Sequence, residues 1–150
     1  MKSLMIIALL LPSLSFGSAK DRWLNYLIIK SGSFSSLKGP DCQAFAKGRS
    51  NLCQSDDCKG VLKNSASRCQ SEDCKAIVNN SKSSCQTPAC QMTLYKQASK
   101  CKDDNCKAIV QKRYSKCLSQ DCTGFLRDRQ EDCGTKACKA IVKNDEKLCP

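Results

Sequence analysis

The chain of 150 residues contains no histidine. That excludes Ser-His-Asp and Cys-His nucleophile pairs, and haem attachment through Cys-x-x-Cys-His. Aromatic residues are scarce at 5%, with a single tryptophan, and little is left to fill a conventional core. No Gly-rich phosphate loop is present. Acids are the minority charge, 14 against 25 lysines and arginines, for a formal charge of +11. A balance this basic favours anionic surfaces and acidic partners. Past the first residues, no apolar run is long enough to span a bilayer, so nothing marks a transmembrane anchor.

Residues 1–19 read as a secretory signal. Lys2 supplies the charged start, Leu4 to Leu11 the apolar run, and Gly17-Ser18-Ala19 a small-x-small cleavage site, so that the mature chain begins near Lys20. All 14 cysteines follow this leader. Their even count fits complete pairing in an oxidising compartment, periplasmic or extracellular. Among anionic partners, that location disfavours nucleic acid.

The cysteines stand at Cys42, Cys53, Cys58, Cys69, Cys74, Cys85, Cys90, Cys101, Cys106, Cys117, Cys122, Cys133, Cys138 and Cys149. Their gaps alternate eleven and five without exception, a Cys-x10-Cys-x4 unit of 16 residues present seven times. Such strict self-similarity marks a stacked repeat array. Residues 41–150 therefore read as one all-α domain, a disulfide-stapled helical solenoid of seven repeats.

Other columns of the repeat support this. Three residues before the first cysteine of units two to seven stands Ser55, Ser71, Thr87, Asp103, Ser119 or Thr135, each a good N-cap, with acids or a proline behind all but Thr135. Two residues after that cysteine lies a mostly small column, Ala44, Gly60, Ala76, Met92, Ala108, Gly124 and Ala140, suited to close backbone approach. The next two positions are the dependable apolar pair of each unit. Six after the cysteine come Gly48, Asn64, Asn80, Lys96, Lys112, Asp128 and Asn144, most of them left-handed turn formers. Each unit is expected to be a short helix, a turn and a second short arm, with units four and five fitting least well.

Three pairing schemes are open. Bridges across the five-residue gap, Cys53 to Cys58 and onward, would orphan Cys42 and Cys149. An up-and-down array of rods would leave an odd number of cysteines at each end. Pairing inside each unit, Cys42 with Cys53 through Cys138 with Cys149, leaves none over and is favoured here, given a helix break that brings the Cα atoms within about 7 Å. The spacing resembles the twin Cys-x9-Cys helical hairpins and the disulfide-stapled Sel1-like repeats, and no function is carried over from either.

Residues 20–40 read as a short amphipathic helix and a Ser/Gly-rich linker. Trp23, Leu24, Leu27 and Ile28 share one face, as a cap over the open end of the first repeat or as a docking strip. The thiol spacings match neither zinc sites nor metal-storage chains, so no metal and no cofactor is expected. Acid pairs such as Asp56-Asp57 recur at one repeat position and read as helix-dipole partners rather than general acids or bases. What remains is a basic face: Lys59, Lys75, Lys107 and Lys139 just after the first cysteine, and Lys47, Lys63, Arg127 and Lys143 four residues on, with Tyr95 and Tyr114 nearby. The expected function is non-enzymatic: an exported binding or structural module facing an acidic protein, lipid or envelope polymer. The alternative is a cationic secreted effector acting on membranes.

Overall fold

The computed structural model describes residues 17–150. The leader reading therefore lies, as far as residue 16, outside the described residues. Among the described residues the chain is all-helical: α1 (Ala19–Ser31), α2 (Gly39–Lys47), α3 (Asp56–Leu62), α4 (Glu72–Asn79), α5 (Pro88–Tyr95), α6 (Asp104–Gln111), α7 (Gln120–Arg127) and α8 (Lys136–Lys143). Each of α2 to α8 is followed by one short 3-10 turn, from Ser50–Leu52 in the first unit to Glu146–Leu148 in the last.

Local chemistry sets these boundaries. The side chains of Ser55, Ser71, Thr87, Asp103, Ser119 and Thr135 accept the backbone N–H of the cysteine three residues on, satisfying a donor that the first helical turn cannot. At the far end a residue with positive φ turns the chain into the 3-10 arm. Gly48, Asn64, Asn80 and Asn144 suit that conformation. Lys96, Lys112 and Asp128 adopt it too, at φ 54, 52 and 54. The units that turn chemistry favours least thus keep the shape of the others.

The disulfides overturn the intra-unit pairing. Cys53–Cys58, Cys69–Cys74, Cys85–Cys90, Cys101–Cys106, Cys117–Cys122 and Cys133–Cys138 span the five-residue gap, each tying the 3-10 arm of one unit to the first turn of the next helix. The two cysteines that this ladder would orphan in a linear array pair with each other. Cys42 and Cys149 are bonded with Cα atoms 5.8 Å apart and a sequence separation of 107. The array closes on itself. Helix α8 packs against α2, and the Gly39 N–H donates to the Pro150 carbonyl at 3.2 Å. No cysteine is free.

Inside the ring of α2 to α8 lies α1, packed on α3, α4, α5 and α6. It runs antiparallel to α4: Arg22 Nε donates to the Ile77 carbonyl at 3.0 Å near one end, and the Tyr26 hydroxyl donates to Asp73 at the other. The chain then reaches α7, where Phe34, fully buried, meets Phe125 edge-to-face at 5.4 Å between ring centroids. Trp23, Leu24, Leu27 and Ile28 are all buried, Ile28 completely. They are the core of the ring, neither a lid over an open end nor a docking strip. A closed ring has no open end to cover, and its axis needs an apolar filling.

Units are also joined by a carboxylate just before the first cysteine. Asp57 Oδ1 accepts the N–H groups of Gln70 and Ser71 at 2.8 and 2.9 Å, while its Oδ2 accepts the Ser71 hydroxyl at 2.7 Å. Asp73 and Asp121 repeat the pattern, and Asp41 and Asn105 make its backbone part. The first turn of one helix thereby holds the N-cap of the next, so all seven unit helices point the same way. Asp57, Asp73 and Asp121 are inter-unit staples, a role beyond that of dipole partner. Ala89 and Ala137 break the series; at the α5–α6 seam a cavity of about 280 Å³ lies beside Ile29, Lys30, Ala89 and Met92.

Asp73 gives this stapling a pH dependence. Burial pushes its carboxyl up, but hydrogen bonds from the Thr87 hydroxyl, from the Gln86 and Thr87 N–H groups and from Tyr26 outweigh that and hold it below the usual carboxylate range. A carboxyl lowered in the folded state contributes stability that is present above its unfolded value and lost as pH falls through the folded one. Melting temperatures measured between roughly pH 6 and pH 2 should therefore fall in acid, and Asp73→Asn should flatten part of that dependence. An unchanged profile would refute the assignment.

Candidate binding surface

Because the unit helices are parallel, their C-terminal ends lie together on one end of the ring. Helix α1 starts there, since its Arg22 meets the last turn of α4. A groove of about 390 Å³ beside this start is lined by Gly17, Arg22, Lys96, Lys112 and Leu126. Two neighbouring hollows that also border Gly17 and Arg22 are lined by Gly48 and Asn64 and by Asn80 and Tyr95 respectively.

This end is basic. The last turns bring exposed Lys47, Lys63, Arg127 and Lys143, the left-handed turns add exposed Lys96 and Lys112, and α1 contributes half-buried Lys20 and Arg22. Asp21 and Asp128 are the acids in the same registers. Cations at helix C-termini complement the dipole, which accounts for the last-turn lysines energetically. Lys96 and Lys112, the C-caps of α5 and α6, share that benefit. Their left-handed backbone is less favourable for lysine than for glycine or asparagine, a cost set against that benefit.

The stripe expected from the sequence is split. Lys59, Lys75 and Lys107 sit in the first turns, toward the opposite end, and pair with Asp56 at 3.1 Å, Glu72 at 2.6 Å and Asp104 at 3.0 Å. Lys139 shares their register, but Lys136 stands where the others have an acid. Arg127 reaches Asp132 at 3.1 Å and covers Tyr114, its guanidinium carbon 5.1 Å from the ring centroid. Tyr95 lies between Lys82 and Lys100, each 5.0 Å from its ring centroid. Lys47, Lys63 and Lys143 are brought together by ring closure, at one register of the successive helices α8, α2 and α3. Lys20, Arg22, Lys96 and Lys112 were not among the sequence candidates. Their signal is positional: lysine in the turn column, and a cationic start to the buried helix.

Asp73 lies with the Cys85 and Cys90 sulfurs within 4.8 Å of one another, a separation that would suit three metal ligands. Both sulfurs are consumed in a disulfide and the carboxylate in the staple, so these atoms serve the fold. No described helix is long and apolar enough to cross a membrane. No family model matches the chain, and no curated protein or solved structure matches it.

Proposed function

We propose that the protein is an exported, non-enzymatic binding module that offers the C-terminal end of its helical ring to an anionic partner. The observation that carries this reading is the gathering of Lys20, Arg22, Lys47, Lys63, Lys96, Lys112 and Lys143 on that end, around a groove. Seven disulfides in a 16-residue rhythm support an oxidising compartment outside the cytosol. A rigid ring holds its charges at fixed spacing, which favours an extended acidic partner, an envelope polymer or an acidic protein, over a point ligand.

The test compares two charge-reversal triples of equal net charge for binding to heparin, a soluble polyanion, across a salt series. Lys47→Glu/Lys63→Glu/Lys143→Glu should weaken binding about tenfold or more and flatten its salt dependence. Lys59→Glu/Lys75→Glu/Lys107→Glu, on lysines already paired near the other end, should weaken it much less. Equal losses would mean that only net charge matters, and the directed end would be abandoned. Salt-sensitive leakage of vesicles containing anionic phospholipid, measured in parallel, would favour the membrane-effector reading instead.

A further inference from the structure

The α5–α6 seam has the donors of the inter-unit staple without its acceptor. At five other seams one side-chain oxygen, from Asp41, Asp57, Asp73, Asn105 or Asp121, accepts two successive N–H groups at 2.7 to 3.2 Å. Ala137 has no such pair to hold. Pro150 carries no N–H, and the ring closes there through Gly39 and Cys42. Ala89 has the pair and offers no oxygen: among the described residues the N–H groups of Lys102 and Asp103 find no acceptor.

Lys102 and Asp103 line the cavity of about 280 Å³ at this seam. Its remaining wall is mostly apolar, with Ile29 from α1 and Pro88, Ala89 and Met92 from α5. Lys30 and Lys100 stand beside it with Lys102, and none of the three is ion-paired among the described residues. An apolar hollow with a few convergent polar groups is the usual form of a small-ligand site. Asp103 is the single acid in the lining, and its Oδ1 already accepts the Cys106 N–H at 2.8 Å. As an N-cap, it accounts for the lack of an acid at position 89, where two carboxylates would oppose each other. It does not account for the lack of an amide. Asn105 shows that a neutral oxygen serves the same purpose, accepting the N–H groups of Leu118 and Ser119 at 2.7 and 3.1 Å.

We propose that this seam binds a medium-chain fatty acid, whose carboxylate takes the place that the Asp57 and Asp73 carboxylates hold at the two preceding seams. One carboxylate oxygen accepts the Lys102 and Asp103 N–H groups, since successive backbone N–H groups form a concavity suited to an anion. Both donors lie ahead of α6, whose own cap is made by Asp103. The alkyl chain lies against Ile29, Ala89 and Met92, the last a side chain that adapts its shape to what it meets. Three ammonium groups against one carboxylate keep the surroundings of the head group positive. The site adjoins Ile29 and Lys30 near the end of α1, whereas the basic groove lies beside its start, so the two are separate and neither depends on the other.

The oxidised protein is titrated with octanoate, octanol and acetate, followed by calorimetry and by the amide chemical shifts of isotope-labelled protein. Octanoate should bind about tenfold or more tighter than octanol or acetate, and should move the Lys102 and Asp103 amide protons downfield as they gain a charged acceptor. Octanol binding as well as octanoate would mean that the hollow takes apolar matter whatever its head group. Shifts confined to Lys47, Lys63 and Lys143 would put the ligand on the basic end. Either result overturns the proposal, as does the absence of octanoate binding at millimolar concentration. Ala89→Asn supplies the missing oxygen from the chain itself. It should weaken octanoate binding about tenfold or more while keeping or raising the melting temperature. A folded Ala89→Asn that binds octanoate like the parent would refute the assignment, and the amide shifts of the parent test it without any variant. Lys47→Glu/Lys63→Glu/Lys143→Glu should bind octanoate as the parent does, which keeps this site distinct from the basic end.

Discussion

Replacing Cys42 and Cys149 together with alanine should cost more stability than removing any other bridge, roughly 5 kcal/mol against roughly 2 kcal/mol for a ladder bridge such as Cys69–Cys74. Chain entropy drives the contrast. The ladder bridges close loops of sequence separation 5, whereas Cys42–Cys149 closes one of 107 and constrains nearly the whole unfolded domain. The folded state adds to it, since this bridge fastens the α8–α2 seam and without it α1 is enclosed by noncovalent contacts alone on that side. Denaturant unfolding of Cys42→Ala/Cys149→Ala beside Cys69→Ala/Cys74→Ala, each with the remaining bridges mapped intact, decides the matter. Equal losses would show that α8 and α2 hold the ring shut without the covalent link.

Asp121→Ala should be the most damaging substitution of an acid, at about 3–5 kcal/mol. Asp121 is 2% exposed and accepts from the Gly134 and Thr135 N–H groups, from the Thr135 hydroxyl and from the N–H of Phe34. The last of these ties the chain leaving α1 to the ring wall. Alanine would leave that buried N–H without its acceptor, and an unmade buried hydrogen bond costs more than a made one contributes. Asp121→Asn, which keeps one carbonyl oxygen, should lose less. Asp56→Ala, on an exposed ion pair, should change stability by about 0.5 kcal/mol or less. Calorimetric melting of the three variants gives the ranking, and a mild Asp121→Ala would remove the staple from the account of stability.

The repeat, its caps and its turns are legible in the sequence because they are local. Ser71 caps the N–H of Cys74 three residues away, and Asn80 turns the chain within one unit. Closure is not local. Nothing near Cys42 or Cys149 says that the array bends far enough to bring them together, and elimination on a linear array selected the wrong partners. The same blindness hid the meaning of Trp23, Leu24, Leu27 and Ile28: an apolar helix ahead of an open array is a cap, and ahead of a closed one it is the filling. The staple carboxylates had a readable signal, Asp or Asn directly before the first cysteine in most units, but their partners lie 13 and 14 residues on, beyond the span of cap chemistry. For the basic surface, sequence order gave the lysine columns and not their pairing. In one column Lys59, Lys75 and Lys107 are paired with first-turn acids, and of the other Lys47, Lys63 and Lys143 are gathered across the joint of the ring.

Closure also governs how such a chain can change. An open array lengthens or shortens by whole units, because each new unit meets only its neighbours. Here the circumference is fixed by the bond between first and last cysteines and the bore by the girth of one helix. A duplicated unit would widen the bore beyond what Trp23, Leu24 and Ile28 can fill, and a lost one would crush them. Copy number in this protein is therefore set from the inside, by the helix that the repeats enclose.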